Sequence, residues 1–260
     1  MSRELKNPRI KEALLQETVN GKVRCLTCER YCQIAEGEFG FCQTRKNIEG
    51  KLYTLVYGDI SSCSVNPMEK KPLFHFWPAS SALTVGTWSC NFACPWCQNH
   101  EISKRPDMLG KGEWMSPEGF MQLMKQYRCQ GTSISFNEPT LLFEYSRDVF
   151  ALAKKEGYFN TLVTNGYMTI EALKILIEEG LDAYVPATSA KALEKARQIG
   201  REEGLNYVYV GNLPGHPFEN TYCPNCQELL IKRYRLSVSR YNIKDGKCPK
   251  CGKGIPIIGR

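Results

Sequence analysis

The chain has 260 residues, 42% of them hydrophobic, which is enough for one sizeable core or two small ones. No apolar run approaches the roughly 18 residues of a membrane span, and the first residues contain no apolar signal region, so we expect a cytoplasmic protein with no membrane partner. The net charge of +7 is too small to argue for nucleic acid as a partner, and we interpret the densest basic stretch, residues 232–235, as a solvated strand face.

The chain contains 13 cysteines, a high number for its length. All of them except Cys63 and Cys129 fall into three clusters with short gaps between the cysteines. In a secreted protein this number would suggest disulfides, but clusters with short gaps are typical of metal sites in a reducing compartment. The sequence therefore predicts three metal centres.

The first predicted element is a helix. Asn7 is a typical N-cap, Pro8 suits the first helical position, and Asn20-Gly21 would end the helix at about Val19. Four cysteines follow it: Cys25, Cys28, Cys32 and Cys42. We interpret them as one closed metal site that holds either zinc or an auxiliary iron–sulfur cluster. Residues 1–75 are thus predicted to form an N-terminal helix and four-cysteine module.

After this module the pattern alternates between strands and helices, which predicts a parallel sheet with right-handed crossovers. The predicted strands are residues 52–57 in the N-terminal module and, in the core, 82–86, 132–136, 161–163, 181–185 and 205–210. The predicted helices are residues 117–128 with Ser116 as N-cap, 141–156, 170–179 with Thr169 as N-cap, and 190–203.

The second cluster lies directly after the first core strand. Cys90, Cys94 and Cys97 have the spacing C-x3-C-x2-C, and an aromatic residue, Trp96, precedes the last cysteine. Three thiolates suit a [4Fe–4S] cluster that keeps one iron open for chemistry, whereas a structural site closes its coordination. The alternative is a zinc site in which His100 supplies the fourth ligand.

Polar residues follow the next two strands of the predicted sheet. Residues 136–139 contain Asn137 and Glu138, and residues 163–166 contain Asn165. Because the carboxyl ends of parallel strands share one edge of a sheet, we expect these side chains to lie beside the cysteine loop.

The cysteine spacing with its aromatic resembles the motif of the radical S-adenosylmethionine (SAM) enzymes. The resemblance extends over residues 25–255 and is closest to the radical SAM member of the AmmeMemoRadiSam system, which is related to the pyruvate formate-lyase-activating enzymes. The further segments that carry it are residues 69–75 (EKKPLFH), 135–140 (SFNEPT), 163–168 (VTNGYM) and 211–216 (GNLPGH), together with the two flanking cysteine modules.

This resemblance implies a cofactor set and a site. Cys90, Cys94 and Cys97 would bind three irons of a [4Fe–4S] cluster, and SAM would chelate the fourth. Trp96 would lie near the adenine, and the place of the family's Gly-Gly-Glu motif is taken by Asn137 and Glu138. Glu138 would accept hydrogen bonds from the SAM ammonium, and Asn165 would line the same pocket. The alternative for Asn137, Glu138 and Asn165 is a role in turns and helix capping.

The implied reaction is the reductive cleavage of SAM to methionine and a 5′-deoxyadenosyl radical, which abstracts a hydrogen atom from a substrate. The implied partners are SAM, a low-potential electron donor and an unidentified substrate, for which a protein is one candidate.

The chain departs from the family after about Val185. There the family continues with further strand–helix units, whereas this chain passes almost directly to its last predicted helix and strand. The sequence therefore predicts an α/β fold with a shortened partial (βα) barrel of about five parallel strands, formed by residues 76–215. We expect the cluster to assemble but SAM binding and turnover to be impaired. The alternatives are a catalytically degenerate metal-stapled binding module and an iron–sulfur electron carrier.

The third cluster lies in residues 216–260. Cys223, Cys226, Cys248 and Cys251 form two C-x2-C pairs on either side of a β-like segment, residues 229–243. This pattern is typical of a zinc ribbon, with zinc or a single iron bound by four thiolates as a structural staple.

Overall fold

The computed structural model describes residues 3–71, 73, 76–95, 97–186, 194, 197–198, 201–202, 207–209, 216–234 and 237–257. The chain forms two compact units, one made of residues 1–65 and 82–184 and the other of residues 66–81 and 185–260. The first unit therefore contains both the N-terminal cysteines and most of the predicted core. The predicted boundaries at 75/76 and 215/216 stay a prediction.

Six short strands form the N-terminal part of the first unit. They are β1 (Lys11–Glu12), β2 (Gln16–Val19), β3 (Lys22–Cys25), β4 (Gln33–Ile34), β5 (Arg45–Ile48) and β6 (Lys51–Thr54). They make two antiparallel sheets, with the strand orders β2-β3-β4 and β1-β6-β5. Both sheets lie within residues 11–54, although β1 pairs with a strand about 40 residues further along the chain.

The predicted N-terminal helix is wrong. Val19 pairs with Lys22 across a two-residue turn, in which Asn20 and Gly21 both have positive φ, 50° and 73°. Asn-Gly is the preferred pair for this hairpin turn, because both central residues need left-handed backbone. The pair that was interpreted as the end of a helix is therefore the turn of a hairpin.

The main sheet of the first unit has the strand order β13-β12-β11-β9-β8. The described strands between residues 59 and 186 are β7 (Asp59–Ile60), β8 (Ser62–Pro67), β9 (Ser81–Gly86), β10 (Glu113–Trp114), β11 (Gly131–Ile134), β12 (Phe159–Thr164) and β13 (Ala183–Pro186). β11 pairs in parallel with both β9 and β12, as the strand–helix alternation predicted. β7 and β10 form a separate antiparallel pair.

The prediction of about five parallel strands needs one correction. β8 runs antiparallel to β9, because Ser61 N donates to Gly86 O at one end and Met68 N donates to Ser80 O at the other. The described strands thus form a mixed open sheet, and they do not show a closed barrel. Of the last predicted strand only residues 207–209 are described, and these are not in a strand.

Four α-helices lie within the described residues of the first unit: α1 (His100–Ser103), α2 (Pro117–Gln126), α3 (Phe143–Lys155) and α4 (Ile170–Glu178). The predicted N-caps of α2 and α4 are confirmed. Ser116 Oγ accepts a hydrogen bond from Gly119 N at 3.1 Å, and Thr169 Oγ1 accepts one from Ala172 N at 3.2 Å. A 3-10 turn, Pro139–Leu142, precedes α3. Of the predicted helix 190–203, the described residues 194, 197–198 and 201–202 are helical.

Apolar faces of α2 and α3 cover the sheet and form the core. Phe120, Phe143 and Phe150 are fully buried, as are Leu83 of β9 and Ile134 of β11. Burial of each such side chain contributes about 1.5–3 kcal/mol. This core fixes the strand ends from which the candidate site is built.

A buried ion pair joins the N-terminal strands to this core. The Arg45 guanidinium of β5 donates two hydrogen bonds to the Glu144 carboxylate of α3, at 2.6 and 2.9 Å. The side chains are only 3% and 1% exposed. Glu144 also accepts a hydrogen bond from Leu14 N. The pair therefore links three segments that are far apart in the chain.

The second unit contains the strands β14 (Thr221–Tyr222), β15 (Leu229–Tyr234) and β16 (Ser237–Tyr241) in one antiparallel sheet. The predicted β-like segment is thereby confirmed as a hairpin. The prediction of a solvated basic face is wrong for Arg233, which is 3% exposed and donates to Glu219 O and Thr221 Oγ1. In the part of the chain that the structure describes, no helix is both long and apolar enough to cross a membrane.

Candidate metal centres

The loop that follows β9 carries Cys90, Cys94 and Cys97. Phe92 N donates to Cys90 Sγ at 3.4 Å, and Cys97 N donates to Cys94 O at 3.3 Å, so two tight turns shape the loop. Cys97 Sγ lies 3.0 Å from Ser103 Oγ at the end of α1. All three cysteines are partly accessible to solvent. The loop thus presents three thiols at the carboxyl edge of the sheet.

Asn137 holds the start of this loop in place. Its Oδ1 accepts a hydrogen bond from Thr87 N at 3.0 Å, and its Nδ2 donates to Ser89 O at 2.8 Å. Asn137 is therefore a positioning residue for Cys90. Ser89 and Phe136 both have left-handed backbone, with φ of 70°, which is costly for residues other than glycine. The loop and the end of β11 are thus held in an uncommon conformation.

Gly86 allows this close approach. A Cβ atom at position 86 would lie 2.7 Å from Ser135 O, 2.9 Å from Phe136 Cβ and 3.0 Å from Asn137 Oδ1. Two of these neighbours are backbone or Cβ atoms that cannot rotate away. The end of β9 therefore requires glycine if Asn137 is to reach Thr87.

We expect Gly86→Ala to lower the free energy of unfolding by about 1–3 kcal/mol, the usual cost of overpacking. The matched control is Gly119→Ala in α2, where the nearest atom would be 3.4 Å away, so a helix-favouring alanine should be neutral or stabilising. Urea denaturation of both variants measures the difference. Equal stability of the two variants would show that the strand end relaxes at no cost.

Glu138 is almost fully buried and makes four hydrogen bonds. Its Oε1 accepts from Thr140 N, Thr140 Oγ1 and Thr164 Oγ1, and its Oε2 accepts from Asn165 N at 2.7 Å. Burial raises the pKa of Glu138, and the hydrogen bonds from Asn165 and Thr140 act in the opposite direction. These contacts cap the 3-10 turn and join the ends of β11 and β12, which is the capping role left open as an alternative. A role toward SAM stays a prediction.

Asn165 continues this network to the cysteine loop. Its Nδ2 donates to Asn91 Oδ1 at 2.7 Å, and its Oδ1 accepts from Tyr167 N at 3.0 Å. Asn137, Glu138 and Asn165 thus meet the cysteine loop at one edge of the sheet. Trp96, the fourth predicted cofactor residue, lies outside the described residues.

The chemistry of the loop suits metal binding. Burial raises the pKa of Cys90 to about 12, the Phe92 N–H lowers it, and Glu138 raises it further. Such a thiol stays protonated at neutral pH unless a metal ion displaces the proton. Cys90, Cys94, Cys97 and His100 are all described, but no three of their ligand atoms lie within 4.8 Å of one another. A single zinc ion would need that spacing, whereas the thiolates of a cluster bind different irons.

The four N-terminal cysteines lie in the same unit. Burial raises the pKa of Cys28 to about 11, and the Cys25 and Cys42 thiols raise it as well. Among the described residues they do not form a set of three within 4.8 Å. A closed metal site at these cysteines and Cys32 stays a prediction.

Three residues beside Cys90 were not identified from the sequence. Asn91, Arg30 and Ser89 connect the cysteine loop to the N-terminal cysteine segment, and the positions of Ser89 and Asn91 next to Cys90 could have pointed to these two residues. Arg30 has no such signal, because its contact spans about 60 residues of chain.

The C-terminal cysteines form the most complete metal site. All four Sγ atoms lie within 4.8 Å of one another, with Cys223 and Cys251 3.5 Å apart and Cys226 and Cys248 3.7 Å apart. Tetrahedral zinc–thiolate geometry places sulfur atoms about 3.8 Å apart. The Asn225 side chain and the Lys253 N–H lower the pKa of Cys251 to about 6. The group is therefore ready to bind a metal ion.

We expect Cys226→Ser to remove this metal and to expose the second unit to proteolysis. Three thiolates bind a tetrahedral ion far less tightly, and metal binding supplies folding energy to a small core such as this one. Metal content per chain and limited proteolysis measure both effects. The control is Lys247→Ala, which changes an exposed side chain in the same segment and keeps all four thiols. A Cys226→Ser protein with unchanged metal content would contradict the assignment.

The fold and the site define a class of protein: an α/β protein with a loop of three cysteines at the carboxyl edge of its parallel strands. Residues 85–187, which include the cysteine loop and the ends of β11 and β12, match the radical SAM superfamily. This part of the chain is similar to a radical SAM domain, and such a domain implies a [4Fe–4S] cluster and SAM.

The comparison with curated proteins adds one relative. An uncharacterized protein of Methanocaldococcus jannaschii is 34% identical over 333 residues, covering 96% of this chain and 100% of the relative. The chain and this protein thus belong to one family. Because 333 exceeds the 260 residues of this chain, the relative contains residues that have no counterpart here.

Proposed function

We propose that this protein is a radical SAM iron–sulfur protein in which Cys90, Cys94 and Cys97 bind the [4Fe–4S] cluster. The observation that carries the proposal is the position of these three thiols on one loop at the carboxyl edge of the sheet, inside the region that matches the superfamily. Three thiolates leave one iron of the cluster free for SAM. When bound, the cluster and SAM supply a one-electron cleavage of the sulfonium, giving methionine and a 5′-deoxyadenosyl radical that takes a hydrogen atom from the substrate.

The chain's own residues would support this chemistry by positioning. The Phe92 N–H donates to Cys90 Sγ and would stabilise a metal-bound thiolate. Asn137 fixes the loop through Thr87 and Ser89. Glu138 keeps the ends of β11 and β12 together, and its Oε2, which accepts a single hydrogen bond, has capacity for a second donor such as the SAM ammonium. Asn165 and Trp96 complete the proposed SAM pocket.

The finer family assignment is the radical SAM member of the AmmeMemoRadiSam system, related to the pyruvate formate-lyase-activating enzymes. It is supported by the motifs in residues 135–140 and 163–168, whose side chains meet at the cysteine loop. For the flanking modules we propose zinc at the C-terminal cysteines, and zinc or an auxiliary iron–sulfur cluster at the N-terminal ones. A low-potential electron donor and a substrate complete the proposed partners.

A second candidate is an iron–sulfur protein that assembles its cluster but turns SAM over poorly, as an electron carrier or a binding module. The length difference from the relative favours it, since the relative contains residues that have no counterpart in this chain. We place the missing part after Val185, where strand–helix units that would complete the wall of the barrel are expected. A radical needs protection from water, which an incomplete wall provides less well.

One experiment separates the two candidates. The protein is reconstituted anaerobically with iron and sulfide and reduced, and its electron paramagnetic resonance (EPR) spectrum is recorded with and without SAM. A [4Fe–4S] spectrum that changes with SAM, together with 5′-deoxyadenosine formation, supports the radical SAM enzyme. A [4Fe–4S] spectrum unchanged by SAM supports the second candidate. Failure to form any [4Fe–4S] cluster would refute both.

A further inference from the structure

The Arg30 side chain lies directly against the cysteine loop. Its Nε donates to Asn91 O at 2.5 Å, and Asn91 is the residue that follows Cys90. Its guanidinium carbon lies 5.8 Å from the centre of the Phe92 ring, and Phe92 stands between Cys90 and Cys94 in the loop. A positive charge is therefore held beside the proposed cluster ligands.

Aromatic rings restrict the movement of this guanidinium. The centre of the Phe41 ring lies 3.6 Å from its carbon, a distance at which the planar cation stacks on the ring. The Phe92 ring in turn packs against Tyr167, with 5.0 Å between the ring centres. We call Phe41, Phe92 and Tyr167 the aromatic surface. Because Arg30 is already held by this surface, it loses less conformational entropy on binding a ligand than a freely rotating arginine would.

The backbone around Arg30 is fixed as well. Tyr31 N donates to Cys28 O at 3.1 Å and closes a tight turn, and Glu29 N donates to Tyr167 O at 3.0 Å. Tyr167 lies shortly after β12. The turn that carries Arg30 is thus attached to the same edge of the sheet as the cysteine loop.

The charge of Arg30 has no acidic partner in the part of the chain that the structure describes. Asn91 O is the one described acceptor of its guanidinium, and that bond uses Nε alone. Other arginines of the N-terminal strands are paired: Arg24 with Glu17, and Arg45 with Glu144. Since the Arg30 residue is exposed, its two Nη groups are available to a ligand.

An exposed ring lies next to this cation. Among the described phenylalanines only Phe39 and Phe41 are exposed, by 42% and 47%. A single exposed ring is common, but a ring that stacks on an unpaired cation offers a ligand two kinds of contact at once. The arrangement suits a molecule that carries both an anionic group and a flat or apolar part.

We propose that Arg30 is a specificity residue that binds a carboxylate or phosphate group of the substrate, while the aromatic surface contacts a flat or apolar part of the same molecule. A guanidinium fork binds either group through two parallel hydrogen bonds. The proposal rests on the proposed function, because it takes the adjoining loop to be the site of the cluster and SAM. It names the substrate class as anionic.

Three fluorinated probes of similar shape test this site: 4-fluorophenylacetate, 4-fluorophenyl phosphate and the neutral 4-fluorophenylacetamide. Their binding to the full-length, anaerobically reconstituted protein is measured by ¹⁹F NMR line broadening at constant ionic strength. We expect the unmodified protein to bind at least one anion more tightly than the amide. Arg30→Ala should weaken binding of that anion at least about ten-fold, the usual effect of losing a hydrogen bond to a charged group, and leave binding of the amide unchanged. The anion with the larger loss identifies the group on the substrate.

Arg24→Ala is the matched control, since it removes the same charge from the same part of the chain at a surface ion pair with Glu17. It should bind all three probes as the unmodified protein does. Equal affinities of Arg30→Ala and Arg24→Ala for the anions would overturn the proposal. An equal loss of anion and amide binding in Arg30→Ala would overturn it too, because Arg30 would then only maintain the shape of the loop.

Failure of this site is distinguishable from failure of the proposed function. A protein whose cluster responds to SAM, but which binds the anions no better than the amide, keeps the function and refutes the anion site. A protein that forms no [4Fe–4S] cluster, but whose anion binding depends on Arg30, refutes the function and keeps the anion site. Loss of the SAM-induced change of the EPR spectrum in Arg30→Ala would assign Arg30 to the SAM carboxylate and refute its role toward the substrate.

Discussion

Replacing Cys94 with serine is expected to abolish the [4Fe–4S] cluster, with a loss of about four irons per chain and of all 5′-deoxyadenosine formation. Each of the three loop thiolates would bind a different iron, and the two thiolates that remain would leave two irons without a protein ligand, which is too few contacts to retain the cubane. Iron and sulfide analysis after anaerobic reconstitution, together with EPR of the reduced protein, measures the effect.

The control for this variant is Cys63→Ser, which removes a thiol that lies outside the three clusters. It should retain the iron, the sulfide and the EPR signal of the parent. A Cys94→Ser protein with the full parent signal would show that the cluster uses other ligands, and His100 or an N-terminal cysteine would be the next candidates to replace.

Arg45→Met is expected to lower the free energy of unfolding by about 3–5 kcal/mol, the largest stability effect that we predict. The substitution leaves the Glu144 carboxylate buried with no cationic partner, and an uncompensated buried charge is far more costly than the lost contact itself. Urea denaturation of the metal-free protein measures the change without a contribution from metal binding.

The double variant Arg45→Met with Glu144→Leu is the matched control. Replacing both members of a buried pair by apolar side chains of similar volume is often neutral or stabilising, so the double variant should recover most of the lost stability. A double variant as unstable as Arg45→Met would mean that packing around Arg45, rather than the charge of Glu144, determines the cost.

The parts of the fold that the sequence predicts correctly are those determined by contacts between neighbouring residues or by the order of strands and helices. Ser116 and Thr169 cap α2 and α4 because their side chains bond to the backbone three residues later, a contact that the sequence displays directly. The strands β9, β11 and β12 are separated from one another by helices, so their parallel pairing follows from the order of elements.

The errors have physical causes of a different kind. The Asn20-Gly21 pair suits both the end of a helix and a hairpin turn, and the pairing of β2 with β3 decides between them. Arg233 was grouped with its charged neighbours, but alternate residues of a strand face opposite sides, so one member of a basic run is buried.

The candidate site was predicted in part for the same reason. The cysteine spacing is local and identified the loop, and the ends of parallel strands brought Asn137, Glu138 and Asn165 to it. The partners of Glu138 could not be predicted, because Thr140 and Thr164 are ordinary residues in sequence. Arg30 could not be predicted either, because its hydrogen bond to Asn91 O joins segments that are far apart in the chain.

The contacts of Ser89 and Asn91 with the N-terminal module also bear on the order of biosynthesis. A chain is made from its N-terminus, and N-terminal parts of a protein generally fold first during synthesis. Both N-terminal sheets pair only within residues 11–54, so the surface that receives Ser89 and Asn91 is synthesised before the cysteine loop. The cysteine loop thus emerges from the ribosome after the segment that it contacts.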